Sequence, residues 1–132
     1  MTIPYDSTLF AGTAAFYLRG RPPYSRALTE FLAREADLRG RRVLDVGCGP
    51  GTVAVDLAPH AAEVVALDPD GEMLAEAKRH AGRRGVATVR WVLGRAEDLG
   101  TLDLGRFELV TFAQSFHWTD REAVAELVYD LL

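Results

Sequence analysis

Val43-Leu44-Asp45-Val46-Gly47-Cys48-Gly49-Pro50-Gly51 is the stretch that decides how this chain folds. Its first four residues form a short apolar run rich in β-branched side chains, the pattern of a strand buried on both faces. The last five are a loop by composition. Three glycines at alternate positions let the backbone turn sharply, with no Cβ in the way of whatever lies against it. Thr52 is placed to cap a following helix, which the spacing carries to about Ala58 before Pro59 breaks it. Strand, glycine turn and helix in succession open a βαβ unit. Glycine turns also join strands to helices for no functional reason, so the loop alone does not establish a ligand site.

Working outward, Glu63 to Leu67 predicts a second strand that ends at Asp68. Asp70 to Arg84 predicts a helix with an apolar stripe at Met73, Ala77 and Ala81, and Gly85 lies just past its end. Thr88 to Leu93 reads as a third strand, Gly94 to Arg106 mostly as loop, and Phe107 to Phe112 as a fourth strand. Glu122 to Leu132 begins another helix, with Val124, Leu127, Val128 and Leu131 on one side. Upstream, Leu28, Phe31, Leu32 and Glu35 stand at helical spacing, which predicts a helix from about Pro23 to Asp37 ended by Gly40. The expected fold is therefore α/β: a Rossmann-like parallel sheet with helices on both faces, joined by right-handed crossovers. It occupies residues 23–132, behind an irregular segment 1–22. In such sheets ligands bind beyond the carboxyl ends of the strands, where every unusual residue of this chain falls.

Composition narrows the partners. At 132 residues the chain suits one domain. Its net charge of −4 argues against a general nucleic-acid binder, which normally carries a basic face. Arg39, Arg41 and Arg42 cluster, as do Lys78, Arg79, Arg83 and Arg84. The second group closes a helix, where cations complement the helix dipole and stay solvated. The single cysteine, Cys48, cannot form an internal disulfide, no secretory signal opens the chain, and no apolar run approaches the ~20 residues of a membrane span. A cytoplasmic protein without a membrane partner is expected. No cluster of Cys, His and carboxylates has metal-ligand spacing, so no metal is expected.

The loop acquires a partner in Asp68, whose carboxylate can accept two hydrogen bonds from ribose hydroxyls; its other reading is a helix cap ahead of Pro69. Loop and acid together describe a nucleoside site. Dinucleotide loops run Gly-x-Gly-x-x-Gly, with a helix start facing a pyrophosphate. Here the run is Gly-x-Gly-x-Gly, with Asp45 two residues ahead. An acid beside the loop suits a cationic ligand such as S-adenosylmethionine better than a pyrophosphate.

From about Tyr17 to Leu132 the sequence resembles the class I S-adenosylmethionine-dependent methyltransferases, in particular the broad small-molecule group. Four blocks carry the resemblance: Val43 to Gly51, Val64 to Pro69, Gly94-Arg95-Ala96-Glu97-Asp98, and Phe107 to Trp118. It implies S-adenosyl-L-methionine as cofactor, a small-molecule methyl acceptor and a strand order of 3-2-1-4. It further implies that Gly47, Cys48, Gly49 and Gly51 pack along the methionine part and sugar, and that Asp45 sits near the ammonium through water or the adjoining backbone. Asp68 would take the ribose, Pro69 and Met73 would flank adenine, and Ala96 by its N–H together with Glu97 would read the adenine edge. Ala113 and Gln114 would lie along the methionine chain. Many relatives have an acid where Arg95 stands, and an arginine cannot accept a hydrogen bond, so that role passes to Glu97.

On the acceptor side, His117 is either a base of suitable pKa or, with Trp118, packing that shapes the pocket wall. Tyr17, among Phe16, Arg19, Arg21 and Tyr24, belongs either to a lid over the cofactor or to a lead-in packed on the sheet edge. His60 and His80 read as surface residues. Family members continue through three more strands, so the expectation is a methyltransferase truncated after its fourth strand. That strand's exposed edge suggests a possible homodimer, which would bury the stripe of Val124, Leu127, Val128 and Leu131. Three functions fit: a small-molecule methyltransferase, a non-catalytic module that holds the cofactor or its product, and a nicotinamide-dependent oxidoreductase that would need the other glycine spacing.

Overall fold

The computed structural model describes residues 12–14, 24–113 and 115–132. Helix α1 (Arg26–Glu35) leads into strand β1 (Arg42–Val46), helix α2 (Thr52–Leu57), strand β2 (Glu63–Asp68) and helix α3 (Gly71–Arg83). Strand β3 (Val89–Leu93), strand β4 (Leu109–Thr111) and helix α4 (Arg121–Leu131) complete the order. Short 3₁₀ turns occupy Ala58–His60, Ala96–Asp98 and Phe116–Trp118. The four strands pair in the order β3-β2-β1-β4, with every neighbour parallel. This is the Rossmann-like sheet the sequence predicts, with β1 at its centre and β4 at an edge.

Side chains alternate across a strand, and here each alternate set joins a different core. Val43, Val64 and Ala66 pack with Leu38, Ala54, Leu57 and Leu74, beneath α1, α2 and α3. Leu44, Val46, Val65 and Leu67 pack with Leu99, Leu104, Phe107 and Val124, beneath α4 and the loop before β4. Because β1 is covered on both sides, Val43, Leu44, Val55, Val64 and Val65 are fully buried. Asp45 shares the α2 side with Val43 by the same alternation.

Several boundaries differ from the sequence reading. Helix α1 starts at Arg26 rather than Pro23, because the Ser25 hydroxyl accepts the Leu28 N–H and caps it there. Gly51, not Thr52, is the N-cap of α2; its left-handed φ of 82° ends the loop one residue earlier than expected. Pro59 does not simply end the helix but sits within the 3₁₀ turn that continues it. The fourth strand is three residues long rather than six. In the apolar stripe of α4, Val124 is fully buried, and the half-buried Leu127, Val128 and Leu131 pack on the chain's own second core. The cations of α3 are ion-paired as well as solvated. Arg79 and Arg83 both reach Glu76, and Arg84 reaches Asp56, with side chains that remain half exposed.

Arg42 ties the amino end of the sheet. Its Nε donates to Glu63 at 2.7 Å and its Nη1 to the Leu104 carbonyl at 2.8 Å, while the guanidinium lies 4.6 Å from the Phe107 ring centre. Among the described residues no helix is long and apolar enough to cross a membrane.

Candidate functional site

The strands deliver their last residues to one cleft. Val46 and Gly47 come from β1, Asp68 to Asp70 from β2, Gly94 to Glu97 from β3, and Ala113, Ser115, His117, Trp118 and Thr119 from the segment after β4. The cleft lies where the connection leaving β1 runs to one side of the sheet and the connection into β4 to the other, the position at which α/β folds bind ligands.

Gly47 and Gly49 form one wall with left-handed backbones, at φ 69° and 53°. A Cβ at Gly47 would collide with the Ser115 side chain, which donates to the Val46 carbonyl at 2.6 Å and latches the segment after β4 onto β1. A Cβ at Gly49 would meet nothing within 4 Å, so that position presents bare backbone to open space.

Asp68 sets the geometry opposite. Its Oδ2 accepts the Gly49 N–H at 2.8 Å and its Oδ1 accepts the Asp70 N–H at 2.9 Å. The carboxylate thus pins the glycine loop to the β2 end while each oxygen keeps a second lone pair. Burial pushes its pKa up, and these two backbone donors hold it back. Asp68 is not the cap of α3; Asp70 does that, accepting from Glu72 and Met73. Pro69 and the buried Met73 extend this wall.

Ala96 and Glu97 face the cleft from the turn after β3. The Glu97 carboxylate already has protein partners: Oε1 accepts the Asp120 N–H at 3.1 Å, and Oε2 lies 3.7 Å from the Arg95 guanidinium. Ala113, His117 and Trp118 form the remaining side, with the His117 and Trp118 rings tilted 4.7 Å apart and His117 exposed. His60 and His80 are half-buried and stand apart from the cleft wall.

Three residues expected at the ligand pack elsewhere. A Cβ on Gly51 would lie 2.8 Å from Trp91 and 3.1 Å from Ala77, so glycine is needed there for the close approach of α2 to β3 and α3. Cys48 is buried in the first core, and burial together with Asp45 raises its thiol pKa well above the usual range. Asp45 is 1% exposed beneath the loop; its Oδ1 accepts the Thr111 hydroxyl at 2.8 Å and its Oδ2 has no partner. Burial pushes Asp45 up to about 7, against the opposing effect of the Thr111 bond. Tyr17 and Gln114 lie outside the described residues. Asp70 and Thr119 also form the cleft and were not singled out from sequence, and Gly94 and Ser115 stood there only inside longer motif blocks. Their signal was positional only, since each follows a strand's carboxyl end. Among the described residues there is no group of three metal-ligating side chains.

The wall carries three acids, Asp68, Asp70 and Glu97, against one cation, Arg95. An open parallel sheet with a glycine loop, an acid at the end of β2 and an acid-rich cleft defines a protein of the Rossmann-like class. Comparison narrows the class. A family model described as a methyltransferase domain matches residues 43–132, and the chain belongs to that family.

The chain is 38% identical over 114 residues to an uncharacterised methyltransferase of Mycobacterium tuberculosis, covering 86% of this chain and 43% of that protein. It is 35% identical over 105 residues to a ubiquinone biosynthesis O-methyltransferase of Neisseria meningitidis, covering 78% and 44%. The crystal structure of the YcgJ protein of Bacillus subtilis superimposes with a TM-score of 0.68 at 28% identity, covering 79% of this chain and 45% of that one. The chain therefore spans less than half the length of the curated relatives it matches.

Proposed function

We propose that this chain binds S-adenosylmethionine in the cleft and that the protein transfers its methyl group to a small-molecule acceptor. The observation that carries the reading is the Asp68 carboxylate facing the bare backbone of Gly49 within an acid-rich wall. A pyrophosphate would meet Asp68, Asp70 and Glu97 with like charge, whereas a sulfonium meets them with opposite charge. The lone pairs left on Asp68 suit two neighbouring ribose hydroxyls, and the missing Cβ at Gly49 leaves room for a ligand against the loop.

When bound, S-adenosylmethionine supplies a methyl group activated by its sulfonium. Gly47 and Gly49 would hold the methionine part and sugar by close backbone approach. Met73 and Pro69 would flank the adenine. The N–H of Ala96 would read its edge, with Glu97 as the second reader. Glu97 also accepts the Asp120 N–H, so it links that end of the cleft to the start of α4. Methyl transfer is an in-line displacement, so the protein's contribution is chiefly to align the acceptor and exclude water. His117 and Trp118 would form the acceptor-side wall. The acceptor class draws support from the O-methyltransferase among the relatives and from the chain's net charge of −4, which disfavours nucleic acid.

Calorimetric titration with S-adenosylmethionine, its demethylated product and NAD tests this. Micromolar binding of the first two, lost in Asp68→Ala and absent for NAD, is the expected outcome. Binding of NAD alone would refute the reading. Binding without methyl transfer to any acceptor of a broad panel would leave a cofactor-holding module in place of an enzyme.

A further inference from the structure

Asp45 is a buried acid that the proposed transfer does not use. It sits at the centre of the sheet, opposite Ala66 of β2 and Thr111 of β4, and it is 1% exposed. Each element packed around it contributes one group. β4 brings the Thr111 hydroxyl, which donates to Oδ1 at 2.8 Å. β2 brings the Asp68 carboxylate, α2 the backbone N–H of Ala54, and the loop above brings the Cys48 thiol. None of these is a cation. Oδ2 is left buried with no partner. Such an atom is tolerable in a neutral carboxylic acid and costly in a carboxylate.

We infer that Asp45 is a charge-selective proton switch beneath the cofactor cleft: a neutral acid when the cleft is free, a carboxylate when a cationic ligand lies above the loop. The inference rests on the cofactor reading given above. Only Val46 separates Asp45 from Gly47, and both Val46 and Gly47 form the cleft wall. Across so short a stretch of poorly polarisable protein, attraction between unlike charges persists. With a sulfonium above the loop, Asp45 therefore gives its proton up to water. The product keeps the α-ammonium that both ligands share but has a neutral thioether in place of the sulfonium. The sulfonium's share of the attraction is then lost, and the carboxylate takes its proton back from water. Substrate is then held more tightly than product, and product leaves more readily, to the extent that Asp45 can ionise. Burial places that ionisation at about 7, within the range where cells operate.

The test has two independent arms. First, the Asp45 carboxyl carbon is titrated by NMR in the ligand-free chain. A transition near neutrality is expected, and Thr111→Val moves it higher, because the hydroxyl stabilises the ionised form. A midpoint in the ordinary carboxylate range near ~4 would overturn the inference whatever the chain binds. Second, the ratio of the dissociation constants of S-adenosylhomocysteine and S-adenosylmethionine is measured from about pH 5 to about pH 8.5. The ratio is expected to rise about tenfold in the wild type, one pKa unit of linkage, and to lose that rise in Asp45→Asn. Subtracting the Asn variant removes the titration of the ligands' own amino groups. A rise that survives in Asp45→Asn, or a wild-type ratio that does not change, overturns the switch. If neither ligand binds, the cofactor reading falls and the selectivity falls with it, while the first arm still reports the state of Asp45.

Discussion

Gly51→Ala and Gly49→Ala change the same loop by one methyl group each, and the structure assigns them opposite consequences. At Gly51 the backbone is left-handed, with φ 82°. Holding an L-residue there costs about 1–2 kcal/mol. The added Cβ would also lie 2.8 Å from the Trp91 ring and 3.1 Å from the Ala77 methyl, with α2 and α3 packed behind. Overpacking of that kind costs about 1–3 kcal/mol.

The sum for Gly51→Ala, about 2–5 kcal/mol, is a large part of a total stability of about 5–15 kcal/mol. With a urea m-value of about 2 kcal/mol per molar, the midpoint falls by about 1–2.5 M. At Gly49 the φ of 53° brings a similar backbone cost, but the Cβ meets nothing within 4 Å. The midpoint then falls by only about 0.5–1 M. The methyl projects where the ligand is proposed to lie, so S-adenosylmethionine affinity drops at least about tenfold, or about 1.4 kcal/mol. Urea unfolding followed by circular dichroism, paired with calorimetry, measures both. In a Trp91→Phe background, which lacks the ring atoms nearest Gly51, the cost of Gly51→Ala shrinks by about 1 kcal/mol. A Gly51→Ala midpoint within about 0.3 M of the parent would refute the packing argument, since no term above is that small.

Asp45→Asn removes a pH dependence. The folded chain keeps on Asp45, up to about 7, a proton that the unfolded chain loses near 3.8, so wild-type stability declines as pH rises between those values. Relative to Asp45→Asn the decline approaches about 4 kcal/mol and levels off above neutrality, as urea midpoints at several pH values will show. Glu76→Gln acts at the other end of the scale. The Arg79 bond, followed by Arg83, holds Glu76 below its ordinary value of 4.5, so its contribution is present above that pH and is lost as acid protonates the folded form. The variant's melting temperature should accordingly vary less between about pH 4.5 and about pH 2.5. Arg42→Ala removes the Glu63 ion pair, two carbonyl contacts and the Phe107 stacking, and should cost about 2 kcal/mol in urea unfolding without changing cofactor affinity.

The strand order came from the family resemblance, whereas the parallel sheet was legible because β1 and β2 are apolar runs that stop at Gly47 and Asp68 and helices alternate with the strands. The acid at the β2 end and the glycines of the cleft wall could be read for the same reason: they interrupt a pattern. What could not be read depends on which face a residue meets. Gly51 has the same type and spacing as Gly47 and Gly49, but it answers to Trp91, forty residues later in sequence. Asp45 looks like a ligand-side acid until strand alternation turns it toward α2. Thr119 lies outside every motif block, Ser115 had no role assigned within its block, and the Ser115 latch exists only because β4 pairs beside β1. The length of β4 was overestimated because Phe107 and Phe112 extend its apolar pattern while packing on the second core outside the ladder.

The central claim is that one cleft, bounded by Gly47, Gly49, Asp68 and Ala96, holds S-adenosylmethionine. Backbone amide NMR of the labelled chain during titration with that ligand tests it most directly. The account predicts saturable shifts concentrated at those four residues and at Asp70 and Met73, with none at the amino end of the sheet near Arg42 and Glu63. Shifts centred anywhere else, or no shifts from a folded chain at millimolar ligand, would contradict it.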